Sequence, residues 1–350
     1  MPTQISDIIE TRIYGGLQPD IDLSLLALWN SGIIVAHPEF NRLATDTARS
    51  CELIFWRDIN MSIEPNLSST QPVDAVPSHT NQDYMKCFKA FVNQGWSSYN
   101  LTYDMTRGTK PMQHIRNRTG TYWALYRQAR LIAIARGILA SNILGRFKAG
   151  TTGVAGDMII DVSTNNSTTA TAANRFNSDI FSAAVYTMGD RQGQLGAMVV
   201  HSAVMNTMQQ NQLIEWIQVA GEPTLVPFYR GRRVVMDDDC PHFLADPTNP
   251  ANGFKYVSII FGPAAVGYGV GTHHKPVAIE ENERTGHGAG SETLWERKQY
   301  VTHPFGFDDD NNVATGNEGQ KTLADLQNGT NWTRIVPRKA VPVAFIVTNG

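Results

Sequence analysis

Between Leu195 and Pro241 the chain reads LGAMVVHSAVMNTMQQNQLIEWIQVAGEPTLVPFYRGRRVVMDDDCP, and no other stretch restricts the fold as much. The apolar run Ala197 to Val200 breaks at His201-Ser202 into a helical spacing of Val204, Met205, Met208, Leu213 and Trp216. A buried strand therefore feeds directly into a helix. Leu225 to Tyr229 and Val234 to Met236 are two further apolar segments flanking a Gly231-Arg232-Arg233 corner. Asp237-Asp238-Asp239-Cys240-Pro241 then ends the sheet, because acidic residues and proline stop strand pairing. Strand, helix and strand in such close succession require a mixed α+β core.

Two later stretches add to this passage. Trp295 to Phe307 is a strand closing on His303-Pro304-Phe305-Gly306-Phe307, and Leu323-Ala324, Asn331-Trp332 and Val341 to Val347 form a final segment. In this order, with Gly231-Arg232-Arg233-Val234-Val235-Met236-Asp237-Asp238-Asp239-Cys240-Pro241, they resemble the major capsid proteins of tailed phages, in the lambda-like branch of the Hong Kong 97-type fold. The resemblance covers most of the chain. It implies an α+β Hong Kong 97-type capsid fold with a peripheral domain, an axial domain, an N-terminal arm and an extended loop. On that plan residues 1–50 are the arm and 51–100 the extended loop. Residues 101–150 and 275–310 make the peripheral domain around a spine helix, and 151–274 with 311–350 make the axial domain. The implied role is a non-enzymatic shell subunit without a cofactor, assembled in the host cytoplasm into the virion capsid around packaged double-stranded DNA. Its implied partners are copies of itself in pentamers and hexamers, a scaffolding protein, a portal protein, a decoration protein and DNA touched non-specifically.

The 350 residues suffice for one large domain or two interleaved ones. Cys51, Cys87 and Cys240 are an odd number without zinc spacing, so neither a disulfide framework nor a metal knuckle is expected and a reducing compartment fits. Asp7, Glu10 and Arg12 interrupt any secretory signal. Tyr256 to His274 is an uncharged stretch long enough to span a bilayer, but Pro263, its glycines and a Thr-His-His end mark a buried strand and loop rather than a membrane helix. Net charge is −3, and residues 1–24 carry Asp7, Glu10, Asp20 and Asp22 against Arg12 alone. A coat that condensed its own genome would need a basic arm to displace counterions from phosphates, whereas a shell filled by a motor does not. Only residues 1–50 precede the loop, so a scaffold fused ahead of the arm is not expected and a separate one is.

Within the arm, Ile13-Tyr14-Gly15-Gly16 makes a corner and His37-Pro38 opens a short helix to Ala48. Cys51 to Asp58 and Lys86 to Tyr99 read as strands, separated by the polar span Asn60 to Gln82. A hairpin with so polar a tip cannot bury itself in its own domain. By resemblance it lies over a neighbouring subunit, with Trp56, Phe88, Phe91 and Trp96 as candidate inter-subunit anchors; the core of the hairpin itself is their plainer role. Lys86 and Lys89 invite comparison with isopeptide-forming relatives, but no acceptor and activating acid can be identified, and no crosslink is assigned.

Arg107 to Lys148 carries the strongest helical spacing, with Ile115, Tyr122, Tyr126, Ala129, Ala133 and Ala140 on one stripe at the position of the spine helix. Nine Lys and Arg residues lie in it, and no Asp or Glu occurs between residues 105 and 156. Arg116, Arg127 and Arg130 are therefore candidates to face the lumen and meet scaffold or DNA. The plainer reading is a solvated face paired with Glu280, Glu281 and Glu283. Val162 to Asn177 reads as a surface loop, and Ser178 caps a helix to Met188.

Catalytic signatures are few. Gly267-x-Gly269-x-Gly271 and Gly286-x-Gly288-x-Gly290 lack dinucleotide-fingerprint spacing and read as turns. Asp308, Asp310 and Asn312 begin like a calcium loop, but Val313 and Gly319 stand where glycine and glutamate are needed. His201, Asp237, Asp238, Asp239, His242, His273 and His274 could form a metal or acid-base site if folding gathered them. Two rivals to a phage shell follow: an encapsulin-like compartment, and a soluble metal-dependent hydrolase built on that set.

Overall fold

The computed structural model describes residues 31–59, 63–68, 74–105, 111–219, 225–310 and 320–350. The Ile13 to Gly16 corner, part of the loop tip, Arg107, Lys110 and the stretch from Asn311 to Gly319 lie outside them. In chain order the first elements are β1 (Ile34–Ala36), α1 (Pro38–Thr45), β2 (Ser50–Trp56), β3 (Gln82–Phe88) and β4 (Ala90–Tyr99). The short α2 (Asn100–Met105) precedes the 33-residue α3 (Pro111–Ile143). β5 (Ile159–Asp161), α4 (Ser178–Tyr186), β6 (Ala197–Val200) and α5 (Ser202–Gln210) lead to β7 (Glu215–Gln218), β8 (Leu225–Tyr229) and β9 (Arg232–Met236). β10 (His242–Leu244), β11 (Phe254–Phe261), β12 (Val266–Gly271), β13 (Val277–Asn282) and β14 (Ser291–Pro304) follow. β15 (Phe307–Asp309), α6 (Leu323–Gln327), β16 (Trp332–Arg334) and β17 (Val343–Thr348) close the chain.

Two large sheets organise these elements. In the first, the long β14 pairs with β4 along one side and with β13 and then β12 along the other, while β1 adds parallel to β12. The second runs β5-β17-β11-β6-β9-β8-β7, with β10 on β11. This corrects the sequence-drawn boundaries in two places. β4 belongs to the β14 sheet rather than to the projecting loop, and the uncharged stretch from Tyr256 is two strands in different sheets, the chain crossing over at residues 262–265.

The Gly267, Gly269 and Gly271 run is strand rather than turn. A Cβ at Gly269 or Gly271 would overlap the backbone of Phe40 or Ala44, so alternate glycines let α1 lie directly on β12. The Gly286, Gly288 and Gly290 run is a turn, with φ of 68°, 91° and 76°. Arg230 and Gly231, at φ 47° and 74°, form the β8–β9 corner, where both positive values suit a tight hairpin.

The second sheet is apolar on both faces, which explains unbroken runs such as Ala197 to Val200. Ala197 and Val199 join Val257, Ile259, Phe345 and the C-terminal half of α3 on one side. Met198 and Val200 join Ile346, Phe181 and Met205 beneath α4 and α5 on the other. α3 is nearly surrounded from Leu131 to Leu139. Its predicted stripe is slightly out of phase: Trp123, 4% exposed, is the inward residue, whereas Tyr122 is 37% exposed. α4 is capped by Asn177, one residue before the expected Ser178, and α5 stops at Gln210, so Trp216 sits on β7. Register also overturns the expectation of free thiols. Cys51 and Cys87 are direct cross-strand partners with Cα atoms 5.5 Å apart and their sulfurs joined, while Cys240 is free and buried.

Candidate assembly interface

β2 and β3 form a hairpin of their own that neither large sheet extends. Pairing of Cys51 with Cys87, Leu53 with Met85 and Phe55 with Asp83 sends one face inward. Ile54, Tyr84 and Trp56 occupy the other, at 70%, 37% and 64% exposure. The chain beyond the stem continues this exposure at Ile59, Ile63, Leu67 and Val76. Among the described residues these side chains form an apolar strip left uncovered.

Charge pairing fixes the angle of the stem. Asp83 accepts from Arg57 Nε at 3.0 Å and Nη2 at 2.5 Å and from Lys148 Nζ at 2.7 Å, and Arg57 Nη1 donates to the Gly150 carbonyl at 2.9 Å. Burial raises the Asp83 carboxyl, but the Lys148 and Arg57 hydrogen bonds outweigh it and hold it below the usual carboxylate range. The Lys86 amide donates to Asp308 at 2.6 Å, tying β3 to β15. Nearby, Arg334 grips Asp157 bidentately at 2.7 Å for each bond.

Among the predicted anchors, Trp56 is the most open, at 64% exposure. Phe88 is half-buried at the base of the stem. Phe91 is 41% exposed and carries the Lys89 ammonium 4.9 Å from its ring centroid. Trp96 is half-buried and packs edge-on against Tyr122 at 5.3 Å and Trp123 at 6.5 Å, so it joins β4 to α3 within the subunit. Lys89 is buried and donates to the Ala44 and Asp46 carbonyls at the end of α1.

The basic candidates also divide. Arg116 is exposed and pairs with Glu292 at 2.9 Å, not with Glu280, Glu281 or Glu283. Arg127 is half-buried, its guanidinium 5.9 Å from the Tyr268 ring and 5.7 Å from the Tyr300 ring. Arg130 is 6% exposed, stacks over Tyr300 and donates to the Lys321 carbonyl at 3.1 Å. A lumen-facing role for Arg130 therefore gives way to a structural one: its charge lies between α3 and the β14 sheet.

The strip Ile54, Tyr84 and Trp56 was only partly seen from the sequence. Leu53 to Trp56 is apolar at every position, and a hairpin strand without polar alternation signals two covered faces. Two edge strands show the same trait, β7 with Trp216 at 51% and Ile217 at 43%, and β13 with Val277 at 48% and Ile279 at 52%. Among the described residues each lies at the edge of its sheet and exposes apolar side chains.

The histidine and aspartate set converges only in part, with His201 Nδ1 3.9 Å from Asp238. His201 caps α5 by accepting from the Ala203 amide at 3.1 Å, and its ring lies 5.6 Å from His242. Burial lowers its pKa, against the raising influence of Asp238. Asp237 turns inward to accept from Gln128 at 2.5 Å, and burial raises its pKa. His273 and His274 stack on each other beyond the end of β12. Among the described residues no group of three His, Cys, Asp or Glu side chains could hold a metal, and no helix is long and apolar enough to cross a membrane.

No family model matches the sequence. The chain is 28% identical over 344 residues to the major capsid protein of Bacillus phage SPP1, covering 97% of this chain and 96% of that protein. The structure is similar to the capsid of Ralstonia phage GP4, with a TM-score of 0.53 at 11% identity over 91% of this chain and 87% of the other. The chain has the Hong Kong 97-type capsid fold. A cyanophage Pam1 capsid chain gives a TM-score of 0.52 at 9% identity, covering 99% of this chain and 97% of its own. Both likenesses run nearly end to end.

Proposed function

We propose that this chain is a major capsid subunit of a tailed phage, which assembles with its own copies into the icosahedral head around double-stranded DNA and resides in the virion. The observation that carries the reading is the alignment with a phage major capsid protein over 97% of the chain, on a capsid fold whose projecting hairpin leaves an apolar strip uncovered. The role is geometric rather than enzymatic. On this reading α3 and the β14 sheet are the peripheral domain, the β11 sheet is the axial domain, and residues 1–50 form the arm. The hairpin of one subunit lies on the next, with Trp56 as an inter-subunit anchor and Ile54 and Tyr84 beside it. Arg116 and Arg127 are the remaining candidates for the lumen side. Many modest contacts per subunit close a shell cooperatively, so that each subunit stays soluble until a separate scaffolding protein raises its local concentration. Portal and decoration proteins complete the partner set, and DNA is met without sequence readout.

Replacing Ile54 and Trp56 together by Ser tests the reading. Both side chains are mostly exposed, so the isolated subunit should melt within about 2 °C of wild type, as surface substitutions do. Yield of shells sedimenting from cells that also make the scaffold should fall at least roughly tenfold, as expected for loss of a buried aromatic anchor. Unchanged yield would remove the hairpin from assembly. Nuclease-protected DNA in wild-type particles supports a phage head, and protein cargo in its place would favour a compartment.

A further inference from the structure

An isolated two-stranded hairpin is marginal in water, and β2–β3 must hold a projecting segment from a narrow base. Its inner face joins the small core of Phe40, Leu43 and Val301 through Met85 and Cys87, with Cys51, Leu53 and Phe55 partly buried against it. Cys51 and Cys87 stand one rung above the bottom pair, Ser50 with Phe88, at a sequence separation of 36. Cys87 is fully buried, whereas Cys51 is half-buried and can be reached from solvent. Cys240 differs in kind: burial, together with Asp237, Asp239 and Asp238, pushes its thiol well above the ordinary range, and it has no partner cysteine.

We propose that Cys51 and Cys87 are a redox-set staple of the loop stem, two thiols in a reducing cytoplasm and one disulfide in an oxidising medium. The Cys51 thiolate attacks a small disulfide oxidant, forming a mixed disulfide and releasing one small thiolate. Cys87, after losing its proton, attacks the Cys51 sulfur and expels the second. Two protein thiols and one small disulfide become one protein disulfide and two small thiols, the two cysteine protons passing to the released thiolates. The bond then closes the excursion from Cys51 to Cys87, restricts its unfolded states and fixes the register that presents Ile54, Tyr84 and Trp56 outward. The chemistry is a property of the chain alone; its timing, after the shell leaves the host, rests on the proposed function.

The purified full chain, reduced and then exposed to glutathione disulfide, tests the staple by alkylation and mass spectrometry, with chymotrypsin as a probe of stem opening. Free thiols should fall from three to one, with Cys240 remaining, and a Cys51–Cys87 linked peptide should appear. Cleavage at Phe55, Trp56 and Tyr84 should slow roughly tenfold on oxidation, because cutting there requires the stem to open. In Cys51→Ser the rate should stay at the reduced value with or without oxidant. Three thiols after oxidation, links between chains, or equal cleavage rates in the oxidised and reduced wild type would overturn the staple. Particles from lysed cells, alkylated before and after exposure to air, test the timing separately; a disulfide formed by the purified chain when no shells assemble would leave the staple standing and remove the capsid reading.

Discussion

His303 shows how one buried residue joins β14 to α1 and to the β15–β16 pair. It is 1% exposed, its Nε2 hydrogen donates to the Phe307 carbonyl at 2.8 Å, and it packs beside Phe40 and Trp332. Burial lowers its pKa from 6.5 to about 4, against a small raising influence of the Phe307 hydrogen bond. Between those values the unfolded chain binds the extra proton and the native chain does not. Stability is therefore full above pH 6.5, falls as pH drops toward 4, and levels below; the loss from this residue is about 3 kcal/mol. Urea titrations at pH 7.0 and 4.5 should show most of that loss, about 2 kcal/mol, in the wild type and much less of it in His303→Asn. Equal losses would mean that His303 is not the group responsible. The sequence placed His303 at a strand end but gave no sign of its burial, because the rings that cover it come from α1 and β16. Lys89 escaped for the same reason: an isolated lysine reads as exposed until the carbonyl end of α1 is found beside it. Trp56, by contrast, was legible within a run lacking polar alternation.

At the scale of elements, α3 was legible in length and position and opaque in its contacts. Its two central glycines look alike in sequence and have opposite roles. A Cβ at Gly120 meets nothing within 4 Å, whereas one at Gly137 would overlap the Leu326 carbonyl and the Trp332 ring at the crossing with α6. Gly120→Ala should stabilise the subunit by about 1 kcal/mol through helix propensity. Gly137→Ala should destabilise it by roughly 2 kcal/mol or more, as overpacking does. Thermal melts of both variants check the pair, and a shared sign would show that the crossing is not tight. The glycine run of β12 was misread as turns for a related reason, since period two alone does not distinguish a loop from a strand pressed by helix backbone. The loop stem offers a parallel test. Asp83→Ala removes the carboxylate shared by Arg57 and Lys148, leaving Lys148 the longer ion pair to Asp308 at 3.8 Å, and limited proteolysis near residues 57–60 should accelerate several-fold while the β11 sheet core, measured by hydrogen exchange, stays protected. Acceleration throughout the chain would mean that the network supports the whole fold rather than the stem.

For the whole molecule, the order of motifs carried more than any one of them. The strand, helix and hairpin from Leu195 to Pro241, the His303 to Phe307 strand end and the closing β17 are local, and all are present in the expected order, although the helix ends at Gln210, short of Leu213 and Trp216. What the sequence did not yield is the way distant segments share sheets: β1 lies beside β12, β12 beside β14, and β5 beside β17, pairings set by long-range packing rather than by local pattern. The surfaces that matter for a shell have the same character, because exposure at Ile54, Trp56, Trp216 and Ile279 emerges only when the rest of the chain has been buried. The most direct measurement is negative-stain electron microscopy of the chain expressed alone and with a phage scaffolding protein. The account predicts closed icosahedral shells with the scaffold, and capsomers, tubes or irregular shells without it. A uniform small oligomer under both conditions would contradict it.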